Sequence, residues 1–403
     1  MVRSVEARAT VLAAMGVASR DAQELLTYND NHFNHSHLPP PWHFPLPPEA
    51  HVEVWDRYAD AAALVGAFVE LEQRLVQLCF PIAAGISETE SYRAATRRGA
   101  AAEATVEATG LPLSRPEQLR LSVHPTLAGP IPILIPAGRE DFVALVRALT
   151  RRNEPVPIPD SMGACMVAGF NNWDRVRRYR EVWEAANPEN CSADGWQEEF
   201  QRLIPRRELY QDRFIIISDG PYSDVAAAAV GETPTDWQRL SLTIRIEHEC
   251  THYFMRRVLD SSRNNVLDEL ICDYAGIVAA VGHFRSDWFL HFVGLESFPV
   301  YREGGRLQNY LGEPGLSERA FKVLQALTWS AAKNLERFDA RHGSQFRDAQ
   351  GKALVLLALT SQTLEDLASD EAESLLLASL VGLRQVTEDL AVGANESGEG
   401  GET

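Results

Sequence analysis

Residues Leu240 to Leu259 read LSLTIRIEHECTHYFMRRVL, an apolar stretch with polar groups lodged inside it. Leu242, Ile244, Ile246, Phe254, Val258 and Leu259 make a helix that has to be largely buried. Histidine and glutamate are costly in such a helix unless something pairs them. His248 and His252 are four residues apart, so on a helix both point the same way. Glu249 is turned from that face by about 100°. Any fold built on this segment needs a partner for two imidazoles and a carboxylate. A metal ion meets that need: two neutral imidazoles hold Zn²⁺, and the carboxylate takes a proton from a metal-activated water.

The motif is HExxH, His248-Glu249-Cys250-Thr251-His252. A catalytic zinc has three protein ligands and an open position. Downstream the chain reads NNVLDELICDYAGIVAAVG, a second expected helix. Glu269 lies 17 residues after His252. Asp273 is one helical turn further on the same face, placed to accept an imidazole N–H. Asp268 and Asp260 are alternative third ligands. Cys250 and Cys272 are expected to face away from the ligand stripe as buried fillers.

Over residues 245–280 the chain resembles the gluzincin metallopeptidases, the thermolysin-like clan, in which HExxH is followed by a helix carrying ExxxD. The resemblance implies His248, His252 and Glu269 as zinc ligands, Glu249 as general base and Asp273 as the residue that orients an imidazole. The upstream strand motifs of these peptidases are not found, since Asn171-Asn172-Trp173 lies too far before the helix. The metzincin pattern fails, because Met255 stands at its glycine and Val258 at its third histidine.

Hydrolysis at zinc also wants a group to stabilise the oxyanion. Tyr301 and His283 are the leading catalytic candidates, with His291, Tyr310 and Tyr222 behind them. The early loop Asn29–Pro48 contains HFNHSHLPPPWHFPLPP. Its His32, His35, His37 and His43, with nearby His51, read as an ordered Pro-rich loop whose imidazoles bond to backbone. A second metal site, or a lid over the zinc cleft, is the rival. SMGACMVAGFNNWDR has the texture of a turn, either binding substrate or packed on the strand FIIIS at 214–218.

The expected fold class is α+β and mostly helical: a small sheet, the HExxH helix, the Glu269 helix and a C-terminal helical bundle. Helices are expected at 4–27 (two, broken near Gly16), 52–80, 94–109, 140–151, 174–186, 195–210, 317–338, 347–360 and 364–390. Glu154–Pro159 (EPVPIP) reads as a linker. The domains that follow are 1–155 with the His/Pro-rich loop, 156–312 as a zincin-like catalytic region, 313–390 as a helical region, and a disordered tail 391–403.

The length of 403 residues suits two or three packed units. The formal charge of −18 disfavours a nucleic-acid partner. Half of it, −9, comes from the ten acids and single base (Arg384) of residues 364–403, so the rest of the chain is only mildly acidic. Five scattered cysteines suit a reducing compartment. No apolar run has the length of a membrane span. A cytoplasmic protein without a membrane partner is expected. The function expected is a zinc-dependent hydrolase of amide or peptide bonds, with a peptide or small-molecule substrate. The alternatives are a zinc lyase or tailoring enzyme acting on a small metabolite, and a structural metal site in a binding or scaffold protein.

Overall fold

The computed structural model describes residues 4–100, 106–190, 192–261, 263 and 265–398. The chain is α+β and mostly helical, with a four-stranded mixed sheet and bundled helices. It divides into two compact units, residues 47–220 and residues 1–46 with 221–403. No helix among the described residues is long and apolar enough to cross a membrane.

Residues 47–220 hold the sheet. Its strands are β1 (Arg120–His124), β2 (Ile131–Ile135), β3 (Ala164–Asn171) and β4 (Gln211–Ile217), in the order β1-β2-β4-β3. β2 and β4 are parallel at the centre, and β1 and β3 are antiparallel at the edges. The central positions go to the apolar runs, since β2 is buried throughout and Phe214 to Ile217 are fully buried. Trp55 and Tyr58 of helix Val52–Val65, and Phe142 and Leu145 of helix Arg139–Thr150, pack with Phe214 and Ile216 in one core.

Several expectations change here. The boundary at 155 falls inside this unit, because β2 pairs with β4 across it. Glu154–Pro159 is no linker: Arg147 donates to the Val156 carbonyl at 2.9 Å and Ile158 is buried. SMGACMVAGFNNWDR is mostly β3, with Met166 opposite Ile215 of the FIIIS strand, which is the packing alternative. The helix expected over 52–80 breaks at Gly66 (φ +95°) and resumes as Ala67–Arg74. The helix expected over 94–109 is Glu90–Arg98, ended by Gly99 in the left-handed region. Residues 101–105 of that expectation lie outside the described residues. β1, half-exposed and short, was not anticipated.

The second unit is helical. The sheet and the HExxH helix therefore belong to different units, and the expected region 156–312 is not one body. The HExxH residues lie in helix Pro234–Leu259. Thr233 caps it by accepting from the Asp236 N–H at 3.1 Å, and Pro234 takes the first position, where a missing N–H costs nothing. The helix ends at Asp260 (φ +47°). Asn265 then accepts from the Asp268 N–H at 3.0 Å and opens helix Val266–Val281. Helices joined by so short a reversal pack side by side. Gly276 sets how close they come, because a Cβ there would sit 2.6 Å from the Ile244 carbonyl oxygen.

Helices Glu318–His342, Ala349–Thr360 and Leu364–Ala368 follow, and Ala372–Gly398 continues past a break at Ser369. Residues 391–398 of the expected disordered tail are thus helical, and 399–403 lie outside the described residues. The N-terminal helices Val5–Ala14 and Ser19–Tyr28 join this unit through buried Arg8, which pairs with Glu365 at 3.4 Å. In the His/Pro-rich loop, His35 Nε2 meets the Thr360 carbonyl at 3.2 Å and the Asn34 N–H donates to the Leu259 carbonyl at 2.9 Å. The His35 contact is of the backbone-bonding kind expected of an ordered loop.

A methyl group at Gly276 would press on a backbone oxygen that cannot swing aside. Gly276→Ala is expected to destabilise the protein by about 1–3 kcal/mol, despite alanine's helix preference of about 1 kcal/mol. The urea midpoint reads this, and an unchanged or raised midpoint would contradict the close approach.

Candidate metal centre

The ring of His248 is fixed from behind. Its Nδ1 lies 2.8 Å from Asp273 Oδ1 and 2.8 Å from the Tyr222 hydroxyl. Tyr222 donates to Asp273 Oδ1 at 2.5 Å. Arg306 donates to the Tyr222 hydroxyl at 3.0 Å and to Ser223 Oγ at 2.9 Å, and it pairs with Asp273 Oδ2. These contacts leave Nε2 of His248 pointing the other way.

On that other side the donors converge. The two Nε2 atoms of His248 and His252 are 3.1 Å apart. Glu269 lies across them, Oε2 at 3.5 Å from His248 and Oε1 at 3.5 Å from His252. Tyr310 donates to Glu269 Oε2 at 2.8 Å. Two donors each about 2.0–2.1 Å from a tetrahedral zinc stand about 3.3–3.4 Å apart. The spacings of 3.1, 3.5 and 3.5 Å lie on either side of that value. Two bare lone pairs cannot face each other at that distance, so either one Nε2–H donates to the other nitrogen or a cation lies between them.

The electrostatics say the same. Burial alone would push the His252 imidazole down, yet Cys272 and Glu269 hold it well above its usual value. Burial would raise the Glu269 carboxyl, but the bond from His252 and the charges of His248, His252 and Arg306 hold it well below the carboxylate range. The cluster is built to stabilise a cation at the imidazole edge. A proton serves when nothing else is bound, and the donor chemistry suits a divalent metal.

Cys272 corrects the expectation that it faces away. Three residues after Glu269, it shares that residue's face. Its Sγ and the imidazole ligand atoms of His248 and His252 all lie within 4.8 Å of one another, and the three side chains form a buried cluster able to hold a metal ion. Burial pushes the Cys272 thiol up to about 12, and it hydrogen-bonds His252. Asp268 is buried with its Oδ2 unpaired among the described residues, and burial raises it to about 7. Asp260 is exposed at the helix end. Glu249 is half-buried, one step round from His248, while Cys250 is buried.

Tyr301 and His283 are placed elsewhere. The Tyr301 hydroxyl donates to the Gly305 carbonyl at 2.6 Å and its ring packs on Phe321. His283 is exposed, with Nδ1 at 3.2 Å from the Val281 carbonyl. Of the other candidates, Tyr222 and Tyr310 reach the cluster, and each gives its proton to a carboxylate. Arg306 went unnoticed in the sequence. It lies in a short 3₁₀ turn, Arg306–Tyr310, and no spacing marks it. The one available signal was the demand of two acids in a buried helix for a counter-charge.

The model of DUF7005, a family of unknown function, matches residues 10–371. The chain belongs to that family. Every residue of the cluster, from Tyr222 to Tyr310, lies inside the DUF7005 match. No curated protein and no solved structure matches the chain. The chemistry of this DUF7005 protein therefore rests on its geometry.

Wild-type protein is expected to take up a single divalent ion per chain. His252→Ala removes a donor and is expected to weaken binding more than about 100-fold, beyond the loss typical of supporting residues. Elemental analysis after desalting measures this, and equal metal in the variant would remove His252 from the site.

Proposed function

We propose that this DUF7005 protein is a metal-dependent hydrolase, with zinc held by His248, His252 and Glu269 and an amide or peptide bond as substrate. The observation that carries the reading is the convergence of two Nε2 atoms and two carboxylate oxygens at 3.1–3.5 Å beside a half-buried Glu249. Bound zinc supplies a Lewis acid that polarises a carbonyl and acidifies water. Glu249 is the base that takes the proton from the attacking water. Asp273 holds His248, and Tyr310 holds Glu269. The resemblance of residues 245–280 to gluzincin peptidases supports the same assignment of roles.

The His252 side chain is 23% exposed, against 7% for His248 and for Glu269. Substrate then approaches past His252, on the side where Glu249 is also half-exposed. Arg306, 3.7 Å from Glu269 Oε2 and bonded to Asp273, Tyr222 and Ser223, offsets the charge of the two carboxylates.

A structural metal site is the second reading, and Cys272 is the observation that favours it. Four protein donors would close the coordination and leave no position for chemistry. An intact Glu249 speaks for catalysis, since a structural site needs no base. Turnover by Glu249→Gln on a pool of fluorogenic peptide amides separates the two. The variant is expected to keep its metal and lose about 10²–10⁴-fold in rate. Full activity in the variant would remove Glu249 from the mechanism, and loss of its metal would make Glu249 a ligand instead.

A further inference from the structure

We propose that Tyr222 is a positioning residue that fixes which nitrogen of His248 is free to bind a cation, and that the turn carrying it is shaped to deliver its hydroxyl. The inference rests on the metal-site reading above. A tyrosine hydroxyl has one proton to give and two acceptor positions. All three are used. The proton goes to Asp273 Oδ1 at 2.5 Å, and the oxygen faces Arg306 at 3.0 Å and His248 Nδ1 at 2.8 Å. Arginine only donates and an ionised aspartate only accepts, so the direction of each bond is set. His248 Nδ1 faces two acceptors, Asp273 Oδ1 and the Tyr222 oxygen, and therefore carries the proton. Nε2 is left with its lone pair, aimed at His252 and Glu269.

Tyr222 comes from neither of the two paired helices. It sits in the turn that precedes the HExxH helix, and that turn is fastened to the helix. The Tyr222 N–H donates to Ser241 Oγ at 3.0 Å and Arg245 donates to the Pro221 carbonyl at 2.8 Å. The guanidiniums of Arg245 and Arg306 lie 5.4 Å and 5.3 Å from the tyrosine ring centre, and Phe292 meets the ring edge-on at 4.9 Å. The next two residues, Ser223 (φ +54°) and Asp224 (φ +55°), both occupy the left-handed region that side chains other than glycine seldom enter. Two such residues in succession persist only where the surroundings hold them. Ser223 shows the hold, because its Oγ accepts from the same Arg306.

The test compares Tyr222→Phe with Tyr274→Phe. Tyr274 is on the Glu269 helix, and its buried hydroxyl donates to Asp339 at 2.9 Å, so its loss matches the structural cost without touching the cluster. Zinc dissociation constants come from competition with a chromogenic chelator, and the d–d absorption of cobalt(II)-loaded protein reports the ligand geometry. Tyr222→Phe is expected to weaken zinc binding about 10-fold or more and to shift the cobalt bands. Tyr274→Phe is expected to change neither. Wild-type affinity and bands in Tyr222→Phe, or equal weakening in both variants, would overturn the positioning role and leave the metal site standing. A wild type that binds neither metal would overturn the metal-site reading itself, and the positioning role with it.

Discussion

Two imidazole Nε2 atoms held 3.1 Å apart in a largely buried helix cannot both stay bare. Their lone pairs would repel unless an N–H or a cation stands between them. Around them stand two carboxylates, Glu269 and Asp273, against the guanidinium of Arg306. The formal count is one positive charge short. A proton on His252 offsets that difference, and a divalent ion at the shared edge would more than offset it while meeting both nitrogens and the carboxylate. Metal affinity and proton affinity are then two outcomes of one arrangement.

The rest of the helical unit makes that arrangement rigid. The clustered side chains sit on two helices, not on loops, and each helix is capped at its start, by Thr233 and by Asn265. Gly276 lets the backbones approach until only a hydrogen fits between them and Ile244. The hydroxyls of Tyr222 and Tyr310 then reach inward from outside the helix pair, to His248 and to Glu269. What remains adjustable is the solvent side, where His252 and Glu249 are partly exposed.

The sequence made the ligand stripe legible because helical periodicity is local. His248 and His252 are four residues apart in one apolar segment, Glu269 and Asp273 four apart in a second, and the structure brings them together. Cys272 is the exception: helical phase taken from the stripe turns it away, yet three residues after Glu269 its Sγ joins the imidazole ligand atoms. For Tyr222, one candidate among several, and for Arg306, which no pattern marks, the difficulty is another. Each reaches the cluster from a turn, and turns carry no period. The division of the chain was equally hidden. It depends on β2 at 131–135 pairing with β4 at 211–217, a contact no local composition announces. A proline-rich stretch such as Glu154–Pro159 reads as a linker until its carbonyls are seen to be bonded. The elements themselves were mostly visible, and their non-local partners were not.

His248, His252 and Cys272 form a cluster able to hold a metal ion, and we propose that the ion is held by His248, His252 and Glu269 with Cys272 left off it. X-ray absorption at the zinc edge of metal-loaded protein tests this most directly, because nitrogen or oxygen and sulfur differ in both distance and scattering. The account predicts a shell of nitrogen and oxygen at about 2.0–2.1 Å, with imidazole outer-shell scattering and no sulfur. A sulfur neighbour at about 2.3 Å would contradict it and place Cys272 on the metal.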